Sequence, residues 1–310
     1  MLILLLPVAM GAGLAIQTAV NSKLRGFVAS PYLSSGFSFL VAWLFLLVLS
    51  LVTKQSILLD GKMFSAQPLW VWLGGLFGAI ALTGNVVLFQ KIGSLQTTVL
   101  PIMGQIVMSV LIDQFGWFHS PVNRINVTRV GGLVLVVLGV ILSLGIFNKV
   151  EKDLKKKHIN PLYQIFAVLA GMMMAVQTAI NGHLGTILKS PVHASLISFT
   201  VGLLCLIIMN LVLKTKVSNL KLALHAGIHY WWIWVGGFIG ALYVLCSSWL
   251  VPVLGTGQVV VLALFGQLVI SALIEHFGSF ESNINKITRS KTFGLVIMFF
   301  GVLVIKFLNF

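Results

Sequence analysis

The chain has 310 residues, 58% hydrophobic and only 8% charged, with a formal net charge of +14 and two cysteines. A water-soluble domain carries roughly 25% charged residues, so this composition excludes a soluble globular fold and leaves an integral membrane protein. The basic excess lies in short connections between apolar runs, with no basic face interleaved with aromatics, which points to a membrane surface and not to nucleic acid.

A bilayer core needs about 20 apolar residues per helix. Ten runs meet that length loosely, near residues 2–22, 33–53, 70–90, 95–113, 129–147, 161–182, 192–213, 232–251, 257–275 and 292–309. They are continuous and Leu-rich, without the alternation of a membrane barrel, so helices are expected and strands are not. The first run opens "MLILLLPVAMGAG", which lacks the basic start of a signal peptide and is expected to be the first membrane helix. It closes on "AIQTAVN", residues 15–21, where Gln17 and Asn21 share one helix face with Thr18 beside them.

The third run opens on Trp70 and Trp72 and continues with "GGLFGA", whose Gly74 and Gly78 form a close-packing face. Trp72 reads as an interfacial anchor, with a stacking wall for an aromatic or cationic solute as the sharper alternative. In the fourth run Pro101, Gln105, Ser109 and Asp113 are spaced by four and stay on roughly one face. After the fifth run comes "NKVEKDLKKKHINP", a solvated lysine-rich join at 148–161.

Runs six to ten repeat the first five. Residues 11–54 match 171–214 at an offset of 160 with 18 identities in 44 positions, and residues 70–118 match 232–280 at an offset of 162 with 20 in 49. "AIQTAVN" returns as "AVQTAIN", placing Gln177 and Asn181 opposite Gln17 and Asn21, with Thr178 opposite Thr18. "GGLFGA" returns as "GGFIGA", Trp72 as Trp234, and the row of four as Ala263, Gln267, Ser271 and Glu275. Shared leucine bias would not align amides, prolines and glycines. Three units of organisation follow: a five-helix repeat at 1–147, a linker at 148–160 and a second repeat at 161–310.

Five helices is an odd number, so the second copy enters the membrane inverted, and inverted repeats are a transporter design with the site between the halves. The expected fold is an all-α integral membrane protein of ten transmembrane helices in two inverted five-helix repeats. Fourteen of the twenty Lys and Arg residues lie on the linker's side, which predicts a cytoplasmic linker and both termini outside.

Polar residues inside a membrane are costly and each needs a reason. Gln17, Asn21, Gln105, Gln177, Asn181 and Gln267 are candidates to bind a solute, because an amide both donates and accepts; interhelical hydrogen bonding is the competing role. Asp113 and Glu275 are the carboxylates touching the spans. A proton-coupling or gating role is one reading, and a helix-end charge that is wet or paired to a nearby Arg or Lys is the favoured one. Cys205 and Cys246 form neither metal spacing nor a disulfide framework, and His225 and His229 lack further ligands, so no metal is expected. No Walker-type loop occurs, so no nucleotide cofactor is expected and the driving force is a gradient or a partner.

These residues carry a resemblance. "GAGLAIQTAVNSKLRG", its copy "GMMMAVQTAINGHLGT", and the "GQ" of runs four and nine followed by "LIDQFG" and "LIEHFG" resemble the YdcZ-type group of bacterial inner-membrane exporters in the drug/metabolite transporter superfamily. The match covers nearly the whole chain, as two fused five-helix units. It implies two opposed halves around a central cavity in the bacterial inner membrane, and it names no solute. Small multidrug transporters of the same superfamily carry a membrane glutamate in the first helix; Gln17 and Gln177 stand in this chain's first and sixth, so that route of proton coupling is not implied. The expected function is secondary export of a small organic metabolite or drug by alternating access. A passive channel is the alternative, and a membrane-embedded lipid-handling enzyme a third. The expected partners are the solute and membrane lipid, with homodimerisation open.

Overall fold

Local sequence sets the helix starts in both halves. Ser30 and Ser190 each precede a proline, whose fixed φ suits the first helical position, and each hydroxyl accepts the N–H three residues on, Leu33 and His193, at 3.2 Å. Asn160 caps the sixth run in the same way, accepting from Leu162 N at 3.0 Å before Pro161. Gly116 and Gly278 end equivalent helices in the left-handed conformation that glycine adopts without strain.

The computed structural model describes residues 2–54, 61–143, 160–225, 227–282, 284 and 286–307, and the expected linker lies outside these apart from Asn160. Its α-helices in chain order are α1 (Leu2–Val28), α2 (Pro31–Val52), α3 (Gly61–Ala66), α4 (Gly74–Phe115), α5 (Val127–Ser143), α6 (Pro161–Ile187), α7 (Pro191–Val212), α8 (Leu220–His225), α9 (Gly236–Leu254), α10 (Thr256–Phe277) and α11 (Arg289–Phe307). Among the described residues each of the ten apolar runs is mainly helical and no strand occurs.

Two of the runs, 70–90 and 95–113, share the single helical run α4. A straight helix of that length would be ~60 Å long, yet Trp70 just before it meets Phe118 just after it at 5.4 Å between ring centroids. The run therefore doubles back, with Phe77 of its first arm in one apolar cluster with Met108 and Ile112 of its second. In the other half the matching break is explicit: Gly255, at φ 84° and ψ 157°, separates α9 from α10.

Seven described segments are long and apolar enough to cross a membrane: Ile3–Val28, Pro31–Val52, Thr97–Phe115, Pro161–Ile187, Pro191–Val212, Ile228–Leu254 and Thr256–Phe277. The other three runs are the first arm of α4, α5, with 17 described residues, and α11.

The principal packing partners come from opposite halves: α4 on α6, α1 on α10 and α9, α2 on α7, and α5 on α11. The contacts are reciprocal. A Cβ on Gly11 would lie 1.8 Å from the Ala263 carbonyl oxygen, and one on its counterpart Gly171 would lie 2.0 Å from that of Pro101, the counterpart of Ala263. Gly104 and Gly266 meet the carbonyls of Val168 and Val8 in the same exchanged fashion. The backbone repeats down to its strained positions: Ala29 and Lys189, Lys54 and Lys214, Phe118 and Phe280, and His119 and Glu281 all have positive φ. Each such non-glycine residue costs ~1 kcal/mol or more, so paired recurrence is a property of the unit and not an accident.

Candidate functional site

The amides and the glycines form one feature. Asn181 and Gln177, on one face of α6, lie on Gly74 and Gly78 of α4; a Cβ at those glycines would be 2.1 Å from Asn181 Oδ1 and 2.6 Å from the Gln177 amide. The counterpart contact has Asn21 and Gln17 of α1 on Gly236 and Gly240 of α9, at 2.2 and 2.4 Å. A side chain at any of these glycines would displace the amide. Sequence reasoning treats the two sets apart, because nothing within one repeat shows that the amide of one half meets the glycine of the other.

Hydrogen bonding leaves part of the stripe unused. Asn21 Nδ2 donates to Ser38 Oγ at 3.3 Å, and the Ser34 hydroxyl donates to the Asn21 carbonyl at 3.1 Å. The side-chain oxygens of Asn21 and Asn181 are buried without a hydrogen-bond donor. Native interiors leave few such atoms, and each calls for an explanation. Thr18 and Thr178 turn their hydroxyls back onto Leu14 and Met174 carbonyls, and Thr178 also bonds the buried Tyr243 of α9. Gln105 and Gln267 are half-buried beside the close crossings at Gly104 and Gly266.

Asp113 is sealed, with a side-chain exposure of 0%. Its two oxygens accept from Thr256 N at 2.9 Å and Gly257 N at 3.0 Å, the first turn of α10, and from Arg129 Nη2 at 3.0 Å. Ser120 Oγ donates to the same carboxylate at 3.3 Å and lies 2.9 Å from the Thr256 hydroxyl. An anion at a helix start, where free N–H groups point outward, is a favourable arrangement. Arg129 is fixed in turn by the Asn123 carbonyl. Glu275, the counterpart of Asp113, pairs with Lys291 at 3.0 Å but is 45% exposed. Pairing to a basic residue, the favoured sequence reading, describes both. The partners Arg129, Ser120, Thr256 and Gly257 were not anticipated; extending the 162-residue offset past residue 118, which pairs Ser120 with Ser282 and Arg129 with Lys291, would have flagged the first two.

Aromatic and charged groups mark the two ends of the stripe. Beyond Asn181, the His183 ring stacks on His119 at 4.3 Å and on Trp70 at 5.4 Å, beside a shallow crevice of about 290 Å³. Beyond Asn21, the counterpart residues Lys23 and Glu281 form an ion pair, with Tyr230 alongside. Trp72 is buried and stacks on Phe64 at 4.2 Å, while Trp234 meets Phe37 edge-on at 4.7 Å. Neither tryptophan is brought to the amides by any ring contact. Among the described residues, no three His, Cys, Asp or Glu side chains converge as metal ligands.

The family described as "Putative inner membrane exporter, YdcZ", of the drug/metabolite transporter type, matches twice, over residues 2–142 and 162–304. The chain belongs to the YdcZ family. It is thus a multi-pass inner-membrane protein of an exporter family, and the two matched segments carry the two sets of amides. No curated protein matches the sequence. Among solved structures of similar fold is one described only as "Crystal structure of protein", with a TM-score of 0.66 and 16% identity over 99% of this chain and 96% of its own. At that identity it shows the YdcZ-family chain's fold alone.

Proposed function

We propose that the protein is a secondary exporter of a small organic solute, working by alternating access. In this reading the ten helical runs are ten membrane crossings in two inverted five-helix repeats, 1–147 and 161–310, joined by a cytoplasmic linker, with both termini outside. The solute path follows the interface between repeats, lined by Gln17, Asn21, Gln105, Gln177, Asn181 and Gln267. Lipid surrounds the bundle, and homodimerisation stays open.

The observation that carries this reading is the pair of buried amide oxygens, Asn21 and Asn181, left without donors at equivalent places in the two halves. Amides used only for packing would be expected to satisfy both ends of the group. A solute bearing N–H or O–H donors supplies what is lacking. The smooth glycine surfaces beneath the amides support the same reading, since helices can shift over them without a side chain in the way. Asp113, held by Arg129 and the start of α10, suits a gate better than a proton carrier.

The test is a thermal-stability screen of detergent-purified protein against a metabolite and drug library, with the Gln17→Ala, Gln177→Ala double variant alongside. A ligand at 100 times its Kd adds about 2.7 kcal/mol to the folded state. A hit lost in a folded double variant supports the site; a hit retained in full returns the amides to helix packing.

A further inference from the structure

Lys23 and Glu281 meet at one end of the amide stripe, and their repeat counterparts His183 and His119 meet at the other. The two ends are built alike. His119 and Glu281 both have φ 56°, and each follows a phenylalanine of positive φ, so the backbone presents the two side chains in the same way. Phe118 meets Trp70 at 5.4 Å and 63°, and Phe280 meets Trp232 at 5.4 Å and 61°. Each pair joins one repeat to the other, and its helical member lies two residues past an asparagine of the stripe, Asn21 or Asn181. Only the chemistry of the pair differs. One end holds a cation and an anion; the other holds two imidazoles with ring centroids 4.3 Å apart and planes 20° apart.

That difference decides how each end responds to acid. An ammonium and a carboxylate keep opposite charges across the range in which imidazole titrates, about pH 5 to about pH 8, and hydrogen bonds from Lys23 and Tyr230 hold the Glu281 carboxyl below its ordinary value. Two stacked imidazoles attract while neutral or singly protonated. Doubly protonated, they set two like charges 4.3 Å apart. Among the described residues neither histidine has an ion pair to offset the second charge. The ionisable groups on the segments packed around them are Asp113, which faces Arg129 and the start of α10, His193 at the start of α7, and the exposed Arg124 and Lys189. Trp70 stacks on both rings. His119 is exposed and lines the crevice beside Trp70, so protons reach the pair from water.

We propose that His119 and His183 form a proton-binding tie between the two repeats, which holds while the pair carries at most one proton and loosens when both rings are charged. One end of the stripe is then fastened in an acid-dependent way and the other is not. In contact the two rings accept fewer protons than they do apart, so the tie weakens as pH falls. It needs no solute and stands whether the protein is a carrier or a channel. On the topology of the exporter reading the pair lies on the outer side, and there external acid eases separation of the halves beyond Asn181; that consequence alone rests on the exporter reading.

The test exchanges the two pairs. Melting of the purified full-length protein is followed from about pH 8 to about pH 5 in wild type, in His119→Glu with His183→Lys, and in Lys23→His with Glu281→His. The other five of the seven histidines are common to all three and cancel in the difference. The first exchange should remove most of the wild-type fall in melting temperature on acidification, and the second should deepen it. The pair itself is read by NMR of histidine-labelled protein. In wild type the His119 and His183 ring signals should titrate in two steps about one pH unit or more apart, and His119→Gln should bring His183 to a single step. An unchanged acid profile in either exchange, or a His183 titration indifferent to His119→Gln, would overturn the tie. Should the exchanged proteins fail to fold, the NMR measurement decides alone. No arm contains solute, so a failure of the exporter reading leaves these results as they are, and a failure here leaves the amide site standing.

Discussion

The sharpest prediction on packing concerns two glycines of the same helix. Gly11 and Gly26 both lie in α1 and both are ordinary helical positions. A Cβ at Gly11 would sit 1.8 Å from the Ala263 carbonyl oxygen, whereas one at Gly26 would meet nothing within 4 Å. Carbon and oxygen do not approach closer than about 3 Å without bonding, so Gly11→Ala forces α1 and α10 apart by about 1 Å. Overpacking of this kind costs typically ~1–3 kcal/mol, and backbone yields less readily than a side chain. Gly26→Ala has no such cost and gains up to ~1 kcal/mol of helix propensity. The two substitutions are identical in chemistry and opposite in expected sign, and Gly171→Ala should reproduce Gly11→Ala because the contact is exchanged between repeats. Unfolding of purified protein in mixed micelles, titrated with a denaturing detergent, reads the difference. A Gly11→Ala variant no less stable than Gly26→Ala would refute the reciprocal crossing of the halves.

Other predictions follow from the same geometry. Asn181→Leu, close in size, removes a buried oxygen that has no donor, so melting should rise, by up to about 1 kcal/mol of stability, while solute-dependent stabilisation disappears; a variant that keeps ligand response would take Asn181 out of the site. At the Lys23 end, hydrogen bonds from Lys23 and Tyr230 hold the Glu281 carboxyl below the ordinary glutamate value of 4.5. A depressed folded-state pKa contributes stability above the unfolded value and loses it as pH falls through the folded one. The melting difference between wild type and Lys23→Met should therefore be constant above pH 4.5 and shrink below it; a difference that grows on acidification would contradict the ion pair. In Arg129→Met the buried Asp113 loses its charged partner, so stability should fall by ~3–5 kcal/mol; an unchanged melting point would mean that Arg129 does not hold Asp113.

Much of this was legible in the sequence because the repeat is written in residues with strong local rules. Ser-Pro at 30–31 and 190–191 fixes two helix starts, and Gly116 and Gly278 fix two ends, so the helical runs could be placed from capping chemistry and hydropathy alone. Hydropathy also gives 70–90 and 95–113 as two separate runs, which the structure joins in the one helical run α4. The stripe of Gln17, Asn21, Gln177 and Asn181 was visible as spacing by four. Its partners were not, since Gly74, Gly78, Gly236 and Gly240 meet it only across the repeats, and a within-repeat reading assigns them to generic helix packing. Asp113 and Glu275 look alike in sequence, yet one is sealed and one half-exposed. The repeats share fewer than half of their aligned residues, and the burial of Asp113 comes from Thr256 and Gly257 of the opposite half, which no reading within one repeat reaches.

The most direct test of the central claim is exchange flux in liposomes, using the solute that most stabilises the purified protein. Wild type is expected to show saturable counterflow, and the Gln17→Ala, Gln177→Ala double variant, folded by its melting curve, is expected to lose at least about tenfold, the equivalent of ~1.4 kcal/mol. Equal flux in wild type and double variant, or unitary conductance steps in place of saturable exchange, would contradict a carrier whose path runs along the repeated amides.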